Sequence, residues 1–117
     1  MLKIYGIKNC SSMKKAFDLL TQLHLPFEFH DYKKQGIDAD TLKKWLGDLG
    51  AERILNKKGS TWRKLTADEQ HTALLNETNL INTLITHSSL IKRPVLQTQE
   101  GYIVGYDEAA YRALKQN

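Results

Sequence analysis

An apolar run, a helical repeat and an alternating apolar run follow one another within the first 32 residues, and this order constrains the fold more than any other part of the chain. Leu2-Lys3-Ile4-Tyr5 reads as a strand that Gly6 ends. From about Ser11 to His24, the residues Met13, Ala16, Phe17, Leu20 and Leu23 recur at the spacing of one helix face. Pro26 stops that helix, because the residue before a proline is pushed out of helical geometry. Phe27-Glu28-Phe29-His30-Asp31-Tyr32 then alternates with period two, the pattern of a second strand. Two strands joined through a helix run parallel, with a right-handed crossover.

The remainder supplies helices and then a hairpin. Lys33 to Gly36 reads as a loop, and Asp38 as the N-cap of a helix with Leu42, Trp45, Leu46 and Leu49 on one face and Gly50 at a left-handed C-cap. Ala51 to Leu55 fits a further helical turn, and Asn56 to Lys64 a polar loop anchored by Trp62, with Arg63 an exposed charge. Thr66-Ala67-Asp68-Glu69 matches a capping box opening a short helix through Leu75. The next helix, from about Thr78 to His87, should bury Leu80, Ile81, Leu84 and Ile85. Pro94 opens a strand through Gln97, Gln99-Glu100-Gly101 turns, and Tyr102 to Val104 returns antiparallel. A last helix starts at Asp107, with Ala110, Tyr111 and Leu114 inward and Lys115 suiting its C-terminal dipole. The expected class is α/β: a thioredoxin-like mixed four-stranded sheet with flanking helices. An all-helical insertion from about Lys33 to Leu90 would interrupt a single domain spanning all 117 residues.

The only cysteine, Cys10, falls where the first strand gives way to the first helix. Unpaired amides and a partial positive charge at a helix start favour thiolate over thiol, and can bring a cysteine pKa from about 8.5 to roughly 3.5–7.5. Lys8, Lys14 and Lys15 add cationic side chains nearby. Cys10 also continues the apolar face of Met13 and Phe17, as an inert buried cysteine would. Position alone leaves the two readings even, and the polar sleeve of Lys8, Asn9, Ser11 and Ser12 favours an exposed thiol. With one cysteine there is no internal disulfide and no cysteine-based zinc site, so a second thiol must come from another molecule. The four histidines show no metal-ligand spacing, and no metal is expected.

The net charge of +4 raises the question of an acidic partner. Lysine and arginine pairs such as Lys14-Lys15 and Lys57-Lys58 are interspersed with 13 acidic residues, so a solvated basic surface is the first reading. A small anionic ligand or an acidic protein comes next, and nucleic acid last. No apolar run approaches the ~18 residues of a membrane span, and no leader precedes the first strand, so a cytoplasmic protein is expected.

Four stretches carry a resemblance to the arsenate reductase (ArsC)/Spx family, most closely its small YffB-type members: Tyr5 to Cys10, Gly59 to Leu65, Leu90 to Val95, and Val104 to Glu108. The resemblance implies catalysis by Cys10 and a cis peptide bond before Pro94 facing it. Arsenate reductases of this family hold their oxyanion with three arginines. Here Arg93 stands at one matching position, while Asn56 and Gly105 occupy the other two. Gly6 replaces a histidine, and Met13 the second cysteine of the Cys-x-x-Cys switch of Spx-type regulators. The expected function is a glutathione-dependent thiol reductase in which the Cys10 thiolate attacks a disulfide and glutathione, as co-substrate, resolves the mixed disulfide. A small thiol, disulfide or oxyanion would be the other substrate. Arg93 and Lys8 would supply charge for the thiolate and for glutathione carboxylates, Asn9, Ser11 and Ser12 hydrogen bonds, and Pro94 and Val95 a strand for glutathione to pair with. The alternative is a Spx-like module that docks on RNA polymerase without catalysis.

Overall fold

The computed structural model describes residues 1–114. The strands are β1 (Leu2–Gly6), β2 (Phe27–Asp31), β3 (Val95–Thr98) and β4 (Gly101–Val104). The helices are α1 (Ser11–Gln22), α2 (Tyr32–Gln35), α3 (Ala39–Leu49), α4 (Ala51–Ile54), α5 (Ser60–Lys64), α6 (Ala67–Ala73), α7 (Glu77–Thr86) and α8 (Glu108–Arg112). The chain divides into two compact units, one built from Met1–Gln35 and the chain from Arg93 onward, the other from Gly36–Lys92.

The first unit holds a four-stranded sheet in the order β2-β1-β3-β4. β1 pairs parallel with β2, as a strand-helix-strand unit requires, and antiparallel with β3, which forms the hairpin with β4. The inner strands are apolar, with Ile4, Val95 and Leu96 fully buried. Ile4 and Leu96 pack with Met13, Ala16 and Leu20 of α1 and Tyr111 of α8. Asp107 caps α8 by accepting the Ala110 N–H.

Every regular element of the second unit is helical: α3 to α7 and a 3-10 turn at Ser88–Leu90, with one isolated bridge between Leu55 and Ile91. Its helix starts follow the sequence closely. Asp38 accepts the Thr41 N–H at 2.8 Å, and Thr66 and Glu69 close the reciprocal capping box.

Other elements depart from expectation for local reasons. Gly6 remains in β1, paired with Asp31. α1 stops at Gln22, and His24 takes the left-handed conformation at φ 56° ahead of the proline. Tyr32 leaves the second strand to start α2, so Lys33 to Gln35 are helical instead of loop. Asp31 and Gln35 close this turn, Asp31 Oδ1 accepting the Lys33 N–H and Gln35 Oε1 the Asp31 N–H. Gly50 has φ +85° but an extended ψ of 155°, so it turns the chain without a left-handed helical cap. Ser60 to Lys64 are helix where a loop is expected, with Trp62 buried as its anchor. α6 ends at Ala73, leaving Leu74 and Leu75 exposed. Ile85 is 42% exposed instead of buried, because Leu84 takes the inward position of that turn. Lys115 lies outside the described residues.

Gly6 and Met13 explain each other. A Cβ at position 6 would overlap the Met13 Sδ and Cε, and Met13 is itself buried. The thioether thus fills the volume that a side chain on β1 would need. Gly6→Ala should destabilise the fold by about 1–3 kcal/mol, the usual cost of overpacking. Denaturant unfolding of G6A, M13A and the double variant should show the second substitution costing less in the G6A background. Strict additivity would mean that the two positions do not compete for space.

Candidate functional site around Cys10

Three local features place the cysteine sulfur. Asn9 sits in the left-handed region at φ 59°, a conformation that asparagine tolerates better than most residues. The turn brings Cys10 to the N-cap of α1 in an extended conformation, its carbonyl accepting the Lys14 N–H at 3.0 Å. The side chain is half-buried against the α1 core. β1 and β3 are antiparallel neighbours with Tyr5 opposite Val95, so the end of β1 that leads toward Cys10 lies beside the start of β3. Arg93 and Pro94 stand just before that start, joined by a cis peptide bond. Residues 83 positions apart are thereby brought together.

Burial is the largest single influence on the Cys10 thiol and pushes its pKa up. The Met13 N–H, a hydrogen bond from the Arg93 guanidinium, the Ser12 N–H and the Arg93 charge act the other way and together prevail, leaving the thiol below its ordinary value. The two amides act on the sulfur without closing a hydrogen bond of capping geometry.

The expected cations divide. Arg93 reaches the sulfur. Lys8 is exposed and meets Lys34 of α2, whose ammonium pulls the Lys8 pKa down while Asp31 opposes. Lys14 is turned to Asp18 at 3.0 Å on the solvent face of α1. Asn9 and Ser11 are exposed, and Ser12 contributes through its main chain. Pro94 and Val95 are buried, and the Pro94 carbonyl accepts the Gly105 N–H at 2.7 Å. β3 is an inner strand, with Val95 opposite Tyr5 on one side and Val104 on the other. Strand addition at Val95 is therefore blocked by its neighbours. Asn56 belongs to the second unit, where its Oδ1 accepts the Lys58 N–H at 3.1 Å. Gly105 has φ +81°, a conformation an arginine would adopt only with strain.

Two residues beside the site go beyond the sequence expectation. Tyr32 is buried and its hydroxyl has no hydrogen-bond partner among the described residues. Burial raises its pKa, Tyr5 adds to the rise, and the charge of Arg93 opposes it. Asp31 is buried while holding the turn of α2. The Asp31–Gln35 spacing, a cap and its return partner, is the signal that would have revealed both. A cavity of about 410 Å³ borders the cysteine, lined by Lys8, Asn9, Cys10, Ser11, Lys14 and Phe17 among others. Among the described residues no group of histidine, cysteine and carboxylate side chains could hold a metal ion.

The mixed sheet, its flanking helices and the cysteine heading α1 define a thioredoxin-like protein. Comparison with known proteins narrows the class: the chain belongs to the ArsC family, whose model matches residues 5–114. An uncharacterized protein of Haemophilus influenzae is 34% identical over 113 residues, 97% of each chain. The global transcriptional regulator Spx of Streptococcus pyogenes is 25% identical over 115 residues, 97% of this chain and 84% of that protein. Among solved structures, a protein named YFFB superposes with a TM-score of 0.89 at 39% identity, over 97% of both chains.

Proposed function

We propose that the protein is a glutathione-dependent thiol reductase that uses Cys10 as its single nucleophile. The observation that carries this reading is the convergence of Arg93 and two α1 amides on a half-buried sulfur whose pKa is lowered in spite of burial. The Cys10 thiolate attacks the glutathionyl sulfur of a mixed disulfide RSSG. The Cys10–SG bond forms, the RS–SG bond breaks, and RS⁻ leaves to take a proton. A glutathione thiolate then attacks the glutathionyl sulfur of the adduct, releasing oxidised glutathione and returning Cys10 as thiolate. The net exchange is RSSG + GSH → RSH + GSSG, and it needs no second protein cysteine. Arg93 balances the thiolate charge, and Lys8 and Lys34 offer cations to glutathione carboxylates at the rim. Because β3 is enclosed, the backbone that meets the peptide part of glutathione lies before Pro94.

Titration of thiolate absorbance should place Cys10 below the free-cysteine value of about 8.5, and oxidised glutathione should leave one glutathionyl adduct per chain. An unshifted titration together with no adduct removes the enzyme reading. Arg93 is the arginine that acts on this sulfur, and Gly105 offers no side chain at another of the positions where the resemblance implies one. That geometry favours disulfide substrates over the oxyanion. The likeness to Spx along 97% of the chain keeps one competitor, docking on RNA polymerase without chemistry. Retention of polymerase subunits by a protein inert toward glutathione disulfides would favour it.

A further inference from the structure

The Gly36–Lys92 unit carries a cavity of about 430 Å³ that shares no lining residue with the one beside Cys10. That volume falls among small-molecule sites, which run from roughly 300 to 1,000 Å³. Its walls are Ala51, Leu55 and Leu74, with Lys57, Lys58 and Lys92 around them. The wall segments are held before any ligand arrives. Leu55 and Ile91 form an isolated antiparallel bridge, the Asn56 N–H donates to the Leu90 carbonyl at 2.7 Å, and the Lys92 N–H donates to the Ile54 carbonyl at 2.8 Å. Ile54 and Ile91 are fully buried and anchor both segments.

Two of the three charges are held as well. The Lys92 ammonium donates to the Glu52 carbonyl at 3.3 Å, and the Lys57 ammonium stands 5.8 Å from the centre of the Trp62 ring. Glu52 is the only carboxylate set against these three lysines in the lining. Leu74, just past the end of α6, is 49% exposed, so an apolar wall faces solvent where burial would be favourable. Apolar walls with an excess of cations suit a ligand that has an apolar body and one anionic head. Lysines act as point charges and do not impose the bidentate geometry of arginine.

We propose that this cavity binds a small amphipathic carboxylate, its apolar chain seated against Leu55 and Leu74 and its head group held by Lys57, Lys58 and Lys92. The site is independent of Cys10. The test is a titration of the full chain, followed by amide chemical shifts, with octanoate, uncharged octanamide and short-chain butyrate as probes. Octanoate should give saturable shifts gathered on Leu55, Lys57, Leu74 and Lys92, and octanamide and butyrate should each bind about tenfold more weakly or worse. Leu74→Glu, at an exposed position, should abolish the octanoate response. Lys57→Gln with Lys92→Gln should weaken octanoate while leaving octanamide unchanged, and Cys10→Ser should alter neither. Octanoate and octanamide binding alike, octanoate shifts scattered over the chain or centred on the Cys10 turn, or saturable binding of an acidic peptide with none of octanoate would each overturn the proposal.

Discussion

Replacing Cys10 by serine should abolish glutathione-linked disulfide reduction, a fall of at least about 10³-fold toward the uncatalysed rate. A serine hydroxyl at the same N-cap keeps the helix start but is neither ionised at neutral pH nor able to join a thiol-disulfide exchange. The loss should appear in kcat, with no glutathionyl adduct and no thiolate absorbance. The fold should survive, because the side chain is only half-buried and serine is itself a favoured N-cap. The variant also isolates the thiolate's share of stability. The folded thiol has a lowered pKa, so ionisation stabilises the native state fully above the unfolded thiol pKa of about 8.5. That share is lost as pH falls through the folded value. The stability difference between the parent protein and C10S should therefore widen from neutral to alkaline pH in denaturant unfolding. Reductase turnover that persists in C10S would place the chemistry elsewhere.

The strand-helix-strand order was legible because periodicities two and 3.6 alternate cleanly before Asp31, and one helix between parallel strands leaves little topological choice. Helix starts were equally readable at Asp38, Thr66 and Asp107, where short polar side chains accept amides of the first turn. The α2 turn was not, since Tyr32 continues the strand's alternation, while the hydrogen bonds that Asp31 makes with Lys33 and Gln35 close a helical turn there. Ser60 to Lys64 were hidden by the glycine before them, although Trp62 showed that the segment had to be anchored. At the candidate site, the cysteine's place at a helix start can be read locally. The direction of the nearby lysines cannot: Lys14 turns to Asp18 through an i,i+4 contact, and Lys8 meets Lys34 from another element. Tyr32 beside Arg93 needed the sheet register, which sets the start of β3 against the end of β1.

Arg93→Met should slow disulfide reduction at neutral pH by about one to two orders of magnitude, the span commanded by an opposite charge beside an ionising group. Among the influences that hold the Cys10 thiol down, Arg93 supplies both a hydrogen bond and a charge, and without it burial is opposed only by the α1 amides. The thiol pKa therefore rises, and the rate-pH inflection moves to higher pH with it. Above that inflection the thiolate is fully formed in either protein, and a more basic thiolate is also the better nucleophile. If Arg93 acts on ionisation alone, the two profiles converge at alkaline pH. If it also holds a glutathione carboxylate, KM stays raised after kcat recovers, because that contact does not depend on the protonation of the sulfur. Arg93→Lys should fall between, keeping a charge but losing the planar guanidinium that reaches Cys10. Stopped-flow alkylation by iodoacetamide reads the ionisation directly and needs no knowledge of the natural substrate. An alkylation profile with the same midpoint in R93M and the parent protein would sever Arg93 from the sulfur, leaving the helix start as its only source of activation.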